Sequence, residues 1–477
     1  MVPPIHLFPF DRVSKRAGCR GAARDRSIGI RRTVSRPARS GGRRPLHGDR
    51  FESAGDPRGG VMTVRVLQIF NQYRSAFNGE QHVVFRTADL IERHGGQCRN
   101  VLRSSQEIRG WRAKWAAFAG GIYNPFAARR VLDVVKEFRP DVVHVHNLYP
   151  LFSPSVVVAC RKAGIPVVMT LHNQSLTCPR ADHLCRGALC DRCLGGREYH
   201  CVFRNCRGNW LESVAYAARS AVARRFGWFR NHITLFIALT EFARQRLIQA
   251  GYDGERIVVL RNMAPAPRDR RDPSSGTFVG FAGRLSSEKG VDTLIAAADE
   301  LRELPFEIAG GGPLFESYWK QTPANVRLLG QLSRNDLNAF YDRARMLVIP
   351  SLTYEMGPLV IGEAMSHSLP VIASRIGGLP ELVRDQGTGL LFEPGNPLDL
   401  AKKIRQLWRD TALCRRLGAA ARESAEREFG EGPYAARLMG IYRRAMEMAG
   451  KPVRDRASDP VAGMSDSDQV LEEAGVS

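Results

Sequence analysis

The sequence predicts an α/β protein built from two doubly wound parallel-sheet domains that face each other across a cleft. Three observations predict it. The chain has 477 residues, too many for one ordinary domain. From Met62 onward, short runs dense in Val, Ile and Leu alternate with helical stretches, which is the sign of βαβ units. A Pro-rich, charged segment, APAPRDRRDPSSG at 264–276, divides that alternation into two series and reads as a linker.

The elements follow in order. Residues 1–61 hold 14 Lys/Arg against 5 Asp/Glu and show no periodicity. They are expected to be a disordered basic leader, with Met62 as a candidate for the real start. A basic nucleic-acid arm is the rival reading, weakened by the scarcity of aromatics for stacking. The first domain is placed at 62–263, with strands at 64–70, 141–146, 166–172 and 235–239. Its helices fall at 79–94, 153–163 and 210–226. The second domain is placed at 277–430, with strands at 278–282, 306–309, 346–350 and 370–373. Its helices fall at 290–303, 334–344, 359–366 and 397–409. The last of these should start with Asn396 as N-cap and Pro397 at its first position. A helix at 431–450, with scope to cross back to the first domain, and a disordered tail at 451–477 complete the chain.

Composition narrows the function classes. Hydrophobic residues at 44% and charged residues at 25% exclude wholesale disorder, collagen and coiled coil. No apolar run is long enough to span a membrane as a helix. The net charge of +22 suits polyanions, acidic lipid or nucleotide phosphates without choosing among them. Six of the 10 cysteines lie between Cys178 and Cys206. The N-terminus lacks the pattern of a secretory signal, so a reducing, cytoplasmic setting is expected and disulfides are not.

Three motifs each follow a predicted strand, where open α/β sheets bind ligands. In GFAGRLSSEKG, 280–290, Arg284 and Lys289 sit beside a helix N-terminus, a place for a pyrophosphate. A solvated polar turn is the plain alternative. In IAGGGPL, 308–314, three glycines allow close backbone approach, as a mere tight turn also would. In PSLTYEMGPLVIGEAMSHSLPVIAS, 350–374, Glu355 lies in a loop, Gly357 and Pro358 shape a turn, and Glu363 lies on the helix that Leu359 opens. Two carboxylates in one pocket suit sugar hydroxyls, while acids near a helix start also stabilise a helix.

Together, GRLSSEKG, IAGGGPL, VRLLGQLS, EMGPLVIGE, PVIASRIGGLPELV and TGLLFEPGN resemble the family 4 (group 1) retaining glycosyltransferases of the GT-B fold, which pairs two Rossmann-like domains. FNGEQ, DVVHVHN, TLHN and ALTEFARQRL in the first domain match more loosely. The likeness runs from about Met62 to Met446. It implies a donor domain after the linker and an acceptor domain before it. A nucleotide-diphosphate sugar would be the donor, and no metal would be needed for catalysis. Arg284 and Lys289 would take the diphosphate, and Glu363 the ribose. Glu355, with Gly357, Pro358 and Leu359 after it, would hold the donor sugar. Gly79 would open a helix facing the phosphates or the acceptor, and His172 would reach the reactive carbon; His172 and Glu355 are thus the catalytic candidates. The sequence departs from the family pattern in its single glycine at Gly79, in Met356 and in RNMA at 261–264.

The stretch TLHNQSLTCPR onward resembles an insertion of exopolysaccharide-type members. Its thiols, Cys178, Cys185, Cys190, Cys193, Cys201 and Cys206, include one CxxC pair. A structural zinc among them is one expectation and reduced thiols the other. The basic amphipathic stretch 210–230 suits an anionic membrane surface, or equally packing on its own domain. The expected partners are therefore a nucleotide-sugar donor, a glycan or lipid-linked acceptor and the inner membrane face. The rival readings are a nucleotide-sugar epimerase of the same fold and a zinc-containing nucleic-acid-binding protein. No nucleic-acid recognition element is found for the latter.

Overall fold

The structure is a computed structural model that describes residues 63–72, 79–265 and 269–452. The expected leader, Asn78 and residues 453–477 of the expected tail lie outside the described residues.

The first sheet is formed by β1 (Arg65–Gln72), β2 (Gln97–Ser104), β3 (Val142–Val145), β4 (Val167–Thr170), β7 (Leu235–Ala238) and β8 (Ile257–Val259). A small antiparallel hairpin, β5 (Leu184–Cys185) and β6 (Ala188–Leu189), stands apart from it. The second sheet contains β9 (Phe278–Ala282), β10 (Phe306–Ala309), β11 (Val326–Gly330), β12 (Ala344–Ile349), β13 (Val371–Ser374) and β14 (Gly389–Phe392). Both six-stranded sheets are parallel throughout, in the orders β2-β1-β3-β4-β7-β8 and β11-β10-β9-β12-β13-β14. The strand order reverses between β1 and β3 in the first and between β9 and β12 in the second. Ligands bind beyond the carboxyl ends of strands at such switch points.

Central strands of both sheets are buried on both faces, hence their continuous apolar runs. On one face of the first sheet, Leu67, Ile69, Val143 and Val145 pack against Val131 and Val135 of the Pro125–Phe138 helix. On the other, Val66, Val142, Val168 and Ile237 meet Leu438, Ile441 and Tyr442. Those three belong to the Glu431–Met448 helix, so the end of the chain covers the first sheet after the second is complete. Each buried side chain of that size contributes roughly 1.5–3 kcal/mol. The linker-side segment fastens the lobes: Arg86 donates to the Met263 and Ala264 carbonyls (3.3 and 3.0 Å), and Asn262 Nδ2 donates to Gly357 O (2.8 Å).

Candidate active site

The loop after β9 is locked to the end of β12. Gly290 has φ of +68°, and a Cβ there would stand 1.9 Å from the Pro350 carbonyl oxygen, so a side chain has no room. Leu352 N donates to Glu288 O at 2.9 Å across the same seam. This lock sets Lys289 opposite Glu355, with Nζ donating to Oε1 at 2.7 Å. Ser351 Oγ donates to the same oxygen at 2.6 Å. Glu355 is buried and Lys289 half-buried. The glycine loop after β10 closes on this seam. A Cβ on Gly310 would lie 1.8 Å from Gly283 O, which explains the glycine there. Arg284, on the same loop as Lys289, is exposed and forms no side-chain hydrogen bond or ion pair among the described residues.

Glu363 has partners of its own. Arg334 Nη1 donates to its Oε1 at 2.6 Å and the Tyr341 hydroxyl to its Oε2 at 3.0 Å. The two carboxylates therefore sit on one loop–helix unit but share no partner. Pro358 precedes the Leu359–Ser366 helix and no side chain caps it, leaving its first amides for another acceptor. A Cβ on Gly79, the first residue of the Gly79–Arg93 helix, would lie 3.3 Å from Leu359 Cδ1. Two helix N-termini, one from each lobe, thus meet at Leu359, and both favour negative charge. A hollow of about 250 Å³ opens between the lobes here, lined in part by Leu239, Asn262, Gly357, Pro358 and Leu359. It borders the helix start rather than the Lys289–Glu355 pair.

On the first lobe, His172 follows β4 and its Nε2 lies 3.0 Å from His146 Nδ1. His146 Nε2 is 2.7 Å from Gln68 Oε1. His144 lies beneath, held by the Thr170 and Tyr442 hydroxyls, each at 2.8 Å. Burial drives all three imidazoles toward the neutral form, His172 to about 4, His144 to about 3 and His146 well below its usual value. Glu80, in the first turn of the Gly79–Arg93 helix, accepts from Asn173 Nδ2 at 3.5 Å. Burial raises its carboxyl to about 7, the Asn173 contact acting the other way. Gln68, His146, Glu80 and Arg334 were not singled out by sequence reasoning. The HVHN run after a strand was the available signal for His146.

The Cys-rich insertion reaches the opposite lobe. Thr353 Oγ1 donates to Asp182 O at 2.5 Å, and the Tyr354 hydroxyl to Asp191 Oδ2 at 3.2 Å, one residue before Glu355. Arg246 pairs with Asp191 beneath. The thiols remain reduced among the described residues. Burial raises Cys206, which also contacts the Cys185 and Cys201 thiols, and raises Cys193 to about 12. No group of three or more His, Cys, Asp or Glu side chains among the described residues is placed to hold a metal ion. The zinc expectation for Cys178, Cys185, Cys190, Cys193, Cys201 and Cys206 thus finds no ligand set among the described residues; Cys193, Cys201 and Cys206 pack in an apolar cluster with Ala217 and Val202. A second cavity, about 510 Å³, lies between the insertion and the Trp210–Arg225 helix. Two cations of that helix are used internally: Arg219 lies 3.8 Å above the Tyr149 ring and Arg224 pairs with Glu198 at 2.7 Å. These two contacts belong to the packing of the stretch on its own domain, the alternative that the sequence left open. No described helix is long and apolar enough to cross a membrane.

Comparison with known proteins completes the picture. Residues 266–424 match the family described as Glycosyl transferases group 1, and residues 80–265 match Glycosyltransferase Family 4. An uncharacterized glycosyltransferase of Methanocaldococcus jannaschii is 35% identical over 62% of this chain and 73% of its own length. The sulfoquinovosyl transferase of Arabidopsis thaliana is 36% identical over 62% of this chain, which spans only 56% of that enzyme. Among solved structures, Anabaena HepE in complex with UDP and glucose aligns with a TM-score of 0.57 and 19% identity, over 80% of this chain and 99% of its own. The sucrose-phosphate synthase of Thermosynechococcus elongatus aligns with a TM-score of 0.61 and 17% identity, over 80% and 99%. These two share the fold, two facing Rossmann-like domains of GT-B type.

Proposed function

We propose, because the chain belongs to the family 4, group 1 glycosyltransferases, that it moves a sugar from a nucleotide-diphosphate sugar to a polysaccharide, glycolipid or lipid-linked acceptor with retention of anomeric configuration. Membership makes it a sugar transferase; the donor, acceptor and stereochemistry are this proposal. The observation that carries it is the Lys289–Glu355 pair at 2.7 Å beside the uncapped Leu359–Ser366 helix start.

In this reading the diphosphate lies against Lys289, Arg284 and the amides of that helix, opposite Gly79. Glu355 accepts from hydroxyls of the donor sugar, and Glu363, held by Tyr341, accepts from the ribose. The bond between the anomeric carbon and the phosphate oxygen breaks, and the leaving nucleoside diphosphate keeps the electron pair. The acceptor oxygen bonds the same face, and its proton passes to the departing phosphate oxygen. Lys289 and Arg284 stabilise the growing charge, an effect worth roughly 3–4 kcal/mol per well-placed donor. No residue needs to form a covalent sugar intermediate.

For the acceptor side we propose peripheral contact with anionic lipid through the exposed Phe203, Trp210, Leu211 and Phe226, flanked by the half-buried Arg204 and the exposed Arg225. Co-sedimentation with phosphatidylglycerol vesicles, lost at high salt and in Trp210→Ala, tests it. The test of the main reading is a panel of nucleotide sugars screened for release of nucleoside diphosphate. Release with one donor, strongly reduced in Lys289→Ala, is expected; no release and no binding with any donor would defeat it.

A further inference from the structure

Gln68 lies in the middle of β1, opposite Asn100 on β2 and His144 on β3. Its side-chain nitrogen donates to the Val84 carbonyl at 3.1 Å. A backbone carbonyl only accepts, so the Gln68 amide cannot be turned around. Its Oε1 is therefore the atom facing His146 Nε2 at 2.7 Å, and that nitrogen must carry a hydrogen. His146 is buried and neutral, so its Nδ1 is a bare lone pair. Across from that lone pair, at 3.0 Å, stands His172 Nε2, which must then carry a hydrogen too. His172 is also neutral, and its Nδ1 has no protein partner among the described residues.

We infer that Gln68 and His146 are positioning residues that lock His172 in its Nε2–H tautomer, so that His172 Nδ1 offers a bound sugar a hydrogen-bond acceptor and never a donor. The inference rests on the proposed sugar transfer and on the seat near the donor's reactive carbon that the family resemblance implies for His172. It adds a specificity rule: the sugar atom facing His172 bears a hydroxyl or N–H, and a deoxy or O-methyl sugar at that position leaves the lone pair unmet.

The rule has a polarity that one substitution reverses. In Gln68→Leu the acceptor for the His146 Nε2 hydrogen is gone, and a buried donor without a partner is costly. His146 then carries its proton on Nδ1, donating to His172 Nε2, and His172 must move its own proton to Nδ1.

The experiment uses the full chain with 15N-labelled histidine and two-bond proton–nitrogen correlation near pH 7.5, with no donor bound. His172→Gln identifies the His172 signals. Wild type should show a protonated Nε2 and a bare Nδ1 at His172; a protonated Nδ1 would overturn the inference without any variant. Gln68→Leu, checked for folding by its melting curve, should shift the His172 proton to Nδ1. It should also lower kcat/KM about tenfold, the effect of about one hydrogen bond, with nucleoside diphosphate affinity within about twofold. An unshifted tautomer in folded Gln68→Leu would also overturn it. Wild-type turnover by His172→Gln would instead remove His172 from the sugar, whatever its tautomer.

Discussion

Lys289 Nζ and Glu355 Oε1 are joined at 2.7 Å across 66 residues of chain. The loops after β9 and β12, on either side of the switch point of the second sheet, bring them together. Glu355 thereby fixes the ammonium before any ligand arrives, and fixed charge stabilises a transition state without reorganisation. Lys289→Ala and Glu355→Ala should each lower kcat/KM by about 10²–10³. Melting temperature should change little in Lys289→Ala, since Ser351 still holds the carboxylate. Steady-state kinetics with parallel melting curves checks this; wild-type turnover in a folded variant would break the assignment.

Gly290 makes that pairing possible. Gly290→Ala adds a left-handed strain of about 1–2 kcal/mol to a clash with Pro350 O. Gly164→Ala, at φ of +74° with open space around it, meets the strain alone. Urea unfolding should show the larger loss in Gly290→Ala, and its turnover should fall with the displaced Lys289. Equal losses in the two variants would mean the seam yields freely.

The sequence already displayed both central sheets and the Arg284–Lys289 loop, because buried parallel strands are continuous apolar runs and each motif followed one. In the two large sheets, the four strands absent from the reading were β2, β8, β11 and β14, and all four are sheet edges. QCRNVLRS in β2 is mostly half-exposed and polar, so no run announces it. The Asn396 cap was legible, its Oδ1 accepting from Asp399 N at 3.0 Å. Gln68, His146 and Arg334 were not legible as functional, since their roles come from contacts such as Gln68 with His146, 78 residues apart. The cysteine spacing suggested a metal set, but spacing does not fix where thiols point after a hairpin.

The insertion braces the loop that carries Glu355. Asp191→Asn weakens its pairing with Arg246 and its hold on the Tyr354 hydroxyl. Loss of one partly exposed brace of this kind costs about 1 kcal/mol. The donor KM should therefore rise about three- to tenfold, with kcat less affected, and Tyr354→Phe should produce a similar rise. Donor-saturation kinetics of both variants checks it. Unchanged KM in both would show that the insertion does not steady the donor loop.

Stability should fall as pH drops below 6.5, and the histidine triad gives the sign. The unfolded chain binds a proton at each histidine near 6.5, while folded His172 waits until about 4, His144 until about 3 and His146 until well below its usual value. Between pH 5 and 6 the unfolded state therefore holds more protons at these sites, and stability rises with pH. Glu80 opposes this: its folded carboxyl keeps a proton up to about 7 that the unfolded chain releases near 4.5. Three histidines outweigh one carboxyl, so these four groups together make stability climb through that window. Urea unfolding of wild type, His172→Gln and Glu80→Gln at pH 5, 5.5 and 6 isolates the parts. His172→Gln should lose about 1.4 kcal/mol per pH unit of slope and Glu80→Gln should gain about as much. Three parallel lines would mean that neither group changes its proton affinity on folding.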